Sequence, residues 1–304
     1  MRLSIAEWPV EVACGAEVAD RLPGYRPFLV PEAAAPPADV LCRVATGCRV
    51  KPLAAAPDLV NELEARTLRL WLLPDACCVA LTSRATGRTY WLRADRRWRL
   101  VQTDWRPDAG ESYGLLGDFI MLAFTYSAAY RQTAVVHASC VAHGRGGCAF
   151  IGPSGIGKST HARLWLRHIP GSRLLNDDQP VVRCMADGEV RVYGSPWSGK
   201  TPCYHSEGVT LRTLCFMKQA SRNEAVRLGG IETFRRLVES ASVIALDAQT
   251  FSGISATLAD VAGDVPAYEL CNRPDEAAAR LSFSLFAEAA ARGGRRLSDT
   301  SLFL

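Results

Sequence analysis

A chain of 304 residues with 48% hydrophobic content can bury a sizeable core, and its length favours two domains over one. The net charge of +4 comes without any run of Lys or Arg, which excludes the electrostatic footprint of a nucleic-acid groove or a membrane-binding patch. The 11 cysteines contain no Cys-x-x-Cys, which excludes a finger-type zinc site and reads as reduced, mostly buried thiols.

The opening "MRLSIAEWPVEVACGAEVAD" carries Arg2, Glu7 and Glu11 and no long apolar segment, so it does not read as a signal peptide, and the cytoplasm is the expected location. "PEAAAPPAD" (31–39) is a loop, because its prolines exclude regular structure. Four short strands follow: "LRLWLL" (68–73), "CVALTS" (78–83), "TYWLRAD" (89–95) and "RWRLVQT" (97–103). Nothing here groups catalytic residue types, so residues 1–112 read as a smaller β-rich N-terminal domain for packing or recognition. A helix from about Tyr113 to Arg131 leads into the second domain, 113–304, with Leu115, Phe119, Leu122 and Tyr126 on one face. It is too short for a membrane span and contains Asp118.

The second domain begins with a strand over 133–143 and a second over 148–151, the latter running into "GPSGIGKST" (152–160). A helix follows, with Ala162, Trp165, Leu166 and Ile169 at i, i+3, i+4 and i+7 and Pro170-Gly171 as its stop. Leu174 and Leu175 form a short strand ending at Asp177-Asp178. "EVRVYG" (189–194) and "VTLRTLCFM" (209–217) are further strands, and between them stands "GSPWSGKT" (194–201).

Both quoted loops fit the spacing Gly-x-x-x-x-Gly-Lys-Ser/Thr. A phosphate cradle needs converging backbone N–H groups, a helix beginning at the loop, and a lysine that reaches the outer phosphates. The first loop meets all three conditions. Its expected nucleotide contacts are Gly152, Ser154, Gly155, Ile156, Gly157, Lys158, Ser159 and Thr160, with the Ser159 hydroxyl on Mg²⁺. The second loop has Pro196 and Trp197 within it and Pro202 after it, and a strand rather than a helix follows. It reads as an ordered loop. Of the 35 Lys and Arg only four are lysine (Lys51, Lys158, Lys200 and Lys218), and two of those stand in the two loops.

About twenty residues past Lys158 the Asp177-Asp178 pair stands at a strand end, where both carboxylates can turn to one site. One can hold Mg²⁺ while the other accepts a proton from an attacking hydroxyl, since a loose phosphoryl-transfer transition state needs positioning more than base strength. His137, fifteen residues before the loop on the adjacent strand, is either a core histidine or a neighbour of the phosphates.

Together "HASC", "FIGPSGIGKSTHARLWL", "LLNDDQPVVR" and "VYGSPWSGKTPCYH" resemble the HPr kinase/phosphorylase-type kinases, structurally akin to ATP-dependent phosphoenolpyruvate carboxykinase, in their bacterial carboxykinase-like serine kinase branch. The resemblance covers about 133–215, with a weaker echo in 265–281. It implies an α/β P-loop kinase core with a mixed sheet, bound ATP and Mg²⁺, and His137 near the γ-phosphate. It implies Asp177 as catalytic base and Asp178 as metal partner, with Lys200 as a second cation facing the transferred group. Thr160 stands where HPr kinases usually carry Glu, and their glycine-rich phosphorylase signature is not found. The expected activity is ATP-dependent transfer of the γ-phosphoryl group to a hydroxyl, a serine of a small protein or peptide of carrier-protein or lasso-precursor type. The alternatives are a small-metabolite kinase acting on free serine or similar, and a non-catalytic ATP-sensing module. A homo-oligomer is left open.

Overall fold

The computed structural model describes the chain except residues 16, 32–36, 38, 108–111, 200, 243–247 and 300–304, with backbone alone over 293–299. Most of the expected loop 31–39, and Lys200, therefore lie outside the described residues. The protein is mixed α/β and forms two compact units, Met1–Arg131 with 243–254, and Gln132–Ser242 with 255–304.

The first unit is built on β1 (Arg2–Ile5), β2 (Trp8–Ala13), α1 (Glu17–Arg21), β3 (Cys42–Ala45), β4 (Leu59–Glu62), β5 (Arg66–Leu72), β6 (Ala76–Ser83), β7 (Thr89–Asp95), β8 (Leu100–Thr103) and α2 (Ser112–Ala128). Its eight strands make one sheet in the order β1-β2-β3-β8-β7-β6-β5-β4, parallel only at β2–β3 and β3–β8. The alternation of β7 and β8 puts Leu92, Ala94, Val101 and Thr103 on the buried face. Helix α2 covers that face with Leu115, Phe119 and Tyr126, and Trp98 stacks on Tyr126 at 4.5 Å between ring centroids. The boundary expected after residue 112 is thus not where the packing changes: α2 buries its apolar face in the first unit, and the change falls after Arg131.

The second unit comprises β9 (Thr133–Val135), β10 (Ala138–His143), β11 (Gly146–Ile151), α3 (Lys158–His168), β12 (Ser172–Asp178), β13 (Val181–Cys184), β14 (Val190–Tyr193), β15 (Gly208–Gln219), β16 (Glu224–Arg227), α4 (Gly230–Ser240), α5 (Ala248–Asp264), β17 (Ala267–Asn272) and α6 (Glu276–Asp299), the start of α5 belonging to the first unit. Its sheet runs β12-β10-β11-β15-β14-β13-β9, with β17 on β15 and β16 on β17. β11, β15 and β17 are parallel and the other pairs antiparallel, so the sheet is mixed.

The single strand expected over 133–143 is two strands broken at His137. β9 pairs with β13, whereas β10 pairs with β11 and β12, so the chain must change neighbours between them. The His137 N–H leaves the ladder and donates to Ser240 O at 2.7 Å.

Helices α3 and α6 pack on the sheet through Val141, Phe150, Ala162, Trp165, Leu270 and Phe286. Leu166, expected on the buried face of α3, is 41% exposed, because the helix turns its Ala162–Trp165–Ile169 side to the core. Beneath this helix His161 Nε2 and Ser282 Oγ lie 2.9 Å apart, and Trp165 Nε1 donates to the same oxygen at 2.8 Å. Burial pushes the His161 pKa from 6.5 down to about 4. Between those values the unfolded chain binds the proton and the fold does not, so stability rises with pH across that window. Acidifying from pH 7 to pH 4 therefore costs about 3 kcal/mol through this residue. Chemical denaturation of His161→Gln at the two pH values checks this; a slope equal to that of the parent protein contradicts it. Among the described residues no helix is long and apolar enough to cross a membrane.

Candidate functional site

Three strand ends meet at one end of the second sheet. In the register, Ala138 at the start of β10 faces Ile151 at the end of β11 on one side and Asp178 at the end of β12 on the other. That pairing sets His137, Gly152 and the two aspartates side by side although they are far apart in sequence. The glycine loop then leaves β11 and enters α3, as its spacing predicts.

The loop is shaped to leave its concave side open. Gly155 and Gly157 have φ of +82° and +110°, which side chains resist, and a Cβ on either would meet nothing within 4 Å. Gly157 caps α3 without any side-chain hydrogen bond, so the first N–H groups of the helix face outward as donors. Such a turn can receive an anion at the positive end of the helix dipole.

The second glycine loop is built the opposite way. A Cβ at Gly194 would fall 2.1 Å from His205 O, and one at Gly199 would fall 3.0 Å from Asp177 O. These glycines let backbone pack on backbone. Trp197 is buried, and no helix follows before β15. The loop lies along the aspartates: Gly199 N–H donates to Asp177 O at 2.8 Å, and Ser198 bridges to Asp178.

Lys158 is the buried cation of the site, its Nζ donating to Gly152 O at 2.8 Å and Pro153 O at 3.2 Å. Burial lowers its pKa, opposed by the charges of Asp178 and Asp177. Burial likewise raises the pKa of Asp178 against the pull of His137 and Lys158, and lowers that of His137. His137 Nε2 stands 3.4 Å from Asp178 Oδ1. Desolvation outweighs the pairing for both partners, so this is a weakly ionic contact rather than a strong ion pair.

Of the expected site residues, the structure brings together His137, Gly152, Lys158, Asp177 and Asp178. Ser154, Ile156, Ser159 and Thr160 lie on the loop and the first turn of α3. Lys200 lies outside the described residues.

Sequence reasoning missed Asn176. Its buried Nδ2 donates to Ser195 Oγ at 3.1 Å and Trp197 O at 3.0 Å, and its Oδ1 accepts from Gln179 N at 2.8 Å. One side chain therefore pins the second glycine loop to the strand of aspartates and turns the chain behind them. Its only signal in sequence is a polar residue among the apolar and acidic ones of "LLNDD". Asn176→Ala strands several buried polar groups, at about 1–3 kcal/mol each. Thermal denaturation should show a clear fall in Tm; a change near zero shows that the loop holds without it.

No known family model matches the chain, and no curated protein is similar enough to count as a relative.

Proposed function

We propose that the chain is an ATP-dependent phosphotransferase that moves the γ-phosphoryl group to a hydroxyl, with a P-loop kinase core in its second unit. The observation that supports this most is the convergence of an open glycine turn, a buried lysine and two carboxylates at adjacent strand ends.

Bound ATP with Mg²⁺ supplies the transferable group. Phosphates would be held by the amides between Gly155 and Ser159, the Ile156 N–H excepted because it donates to Pro153 O, and Lys158 would find in their charged oxygens stronger acceptors than its two carbonyl partners. A divalent cation there would take most of its oxygens from phosphate and water, and Ser159 with one carboxylate would supply the protein's share. Of the two carboxylates we assign Asp178 as the base, because its Oδ1 stands 3.4 Å from His137 Nε2, which can hold it toward the transferred group. That leaves Asp177 to the metal, the reverse of the roles that the resemblance implies. Neutral His137 beside Asp178 fits a role at the transferred phosphoryl.

A complex with a non-hydrolysable ATP analogue tests the reading. The triphosphate is expected on the amides of Gly155–Ser159. A nucleotide seated against Trp197, or none bound at all, overturns it.

A further inference from the structure

A cleft of about 400 Å³ opens between α4 and the ends of β11 and β15, and it starts where the glycine turn starts, with His137, Gly152 and Pro153 along one side. Its apolar lining is Ile151, Phe216 and Met217, and α4 contributes Arg235, Arg236 and Glu239. We propose that this cleft is the acceptor subsite and that it takes an uncharged, apolar stretch of peptide next to the reacting hydroxyl, not a free amino acid. The inference rests on the phosphotransferase reading.

Position comes first. In loops of this type the lysine serves the outer phosphates and the residues after it serve the metal. Asp178 sits within the field of Lys158 and against His137, and His137 lines the cleft. The cleft therefore opens beside the start of the turn and beside His137, the neighbour of Asp178, where the reacting phosphoryl would lie.

Charge comes second. Arg235 is held by Glu232 at 2.8 Å and also by Glu239. Arg236 is held by Glu232 at 2.6 Å and by Glu269 at 2.7 Å, while Lys218 approaches the other Glu269 oxygen at 3.5 Å. The guanidinium of Arg236 also lies over the Phe216 ring, 5.7 Å from its centroid. Each arginine and glutamate of the rim thus already has its partner inside the molecule. A free amino acid would surrender the hydration of an ammonium and a carboxylate here and find no counter-charge to replace it. A peptide segment brings no such charges.

Apolar surface comes third. Ile231 is 90% exposed; it stands outside the lining of the cleft, one helical turn before Arg235, which belongs to that lining. It offers apolar surface beside the cleft, beyond the reach of a single amino acid, for the residue next to an acceptor serine.

The test is methyl NMR of the full chain, read at Met217, Ile151 and Ile231. The probes are a pool of end-blocked hexapeptides with one central serine, free L-serine, and a non-hydrolysable ATP analogue with Mg²⁺. Peptides with apolar neighbours should move the three methyl signals. Ile231→Asp should weaken those peptides roughly tenfold, the scale of one well-packed contact residue, and leave the affinity of the analogue unchanged. Glu239→Arg should shift the preference of the pool toward acidic neighbours. The proposal is overturned if L-serine moves Met217 and the peptides do not, if the analogue itself fills the cleft, or if no member of the pool binds. An analogue that binds nowhere defeats the phosphotransferase reading first, and that result is visible without any peptide.

Discussion

Lys158→Ala should lower phosphoryl transfer by at least ~10²-fold, the scale of removing one preorganised charged donor from a reacting centre. The lysine is the one described cation at the mouth of the glycine turn whose burial already lowers its pKa. A cation held partly out of water meets incoming phosphate without a full hydration shell to shed, so its loss falls on the transition state. Folding should not suffer in parallel. A lysine whose folded pKa is depressed binds its proton less tightly in the fold than in the unfolded chain, so at neutral pH its charge opposes folding. Lys158→Met should therefore keep or raise Tm while losing activity. Unchanged turnover in either variant would refute the assignment of this loop. A fall in Tm matched to the fall in rate would make the lysine structural, a clip for Gly152 O and Pro153 O.

Local pattern carried the parts of the site that local pattern can carry. A strand, a glycine turn and an amphipathic helix are each decided by a few neighbouring residues, so β11, the loop and α3 stand where spacing puts them. The two glycine loops separated on the same grounds, since Pro196 has no N–H to offer a phosphate, Pro202 keeps Thr201 out of the α region, and a strand pattern follows the second loop. Pairing partners are not local. The break at His137 exists because β9 belongs to β13 and β10 to β11, which no window of residues reveals. β4 escaped notice because it alternates only weakly and is mostly exposed, and β2 and β3 because they pair in parallel across a long connection. The cleft under α4 draws on four separate stretches between His137 and Ser240. Only the folded sheet gathers them.

Asp178→Asn should abolish transfer by roughly 10²–10⁴-fold, the range for a positioned proton acceptor, while leaving binding of an ATP analogue intact. Asp177→Asn should be milder and of a different kind: if Asp177 serves the metal, raising Mg²⁺ should recover much of its lost rate, and Asp178→Asn should gain nothing from the same treatment. The pH profile separates the two again. A base works only when deprotonated, so the rate must fall as pH falls through its pKa. Burial lifts the pKa of Asp178 above the ordinary aspartate value, so that acid limb should sit higher in pH than an exposed aspartate would place it, and it should vanish in Asp178→Asn. The neighbour sharpens the expectation, because His137 Nε2 at 3.4 Å gains charge as pH falls and then favours the ionised aspartate. His137→Ala should for that reason move the limb to still higher pH, not lower. If instead Mg²⁺ rescues Asp178→Asn and the acid limb disappears in Asp177→Asn, the roles revert to those of the resembling kinases, and the contact with His137 is not what selects the base.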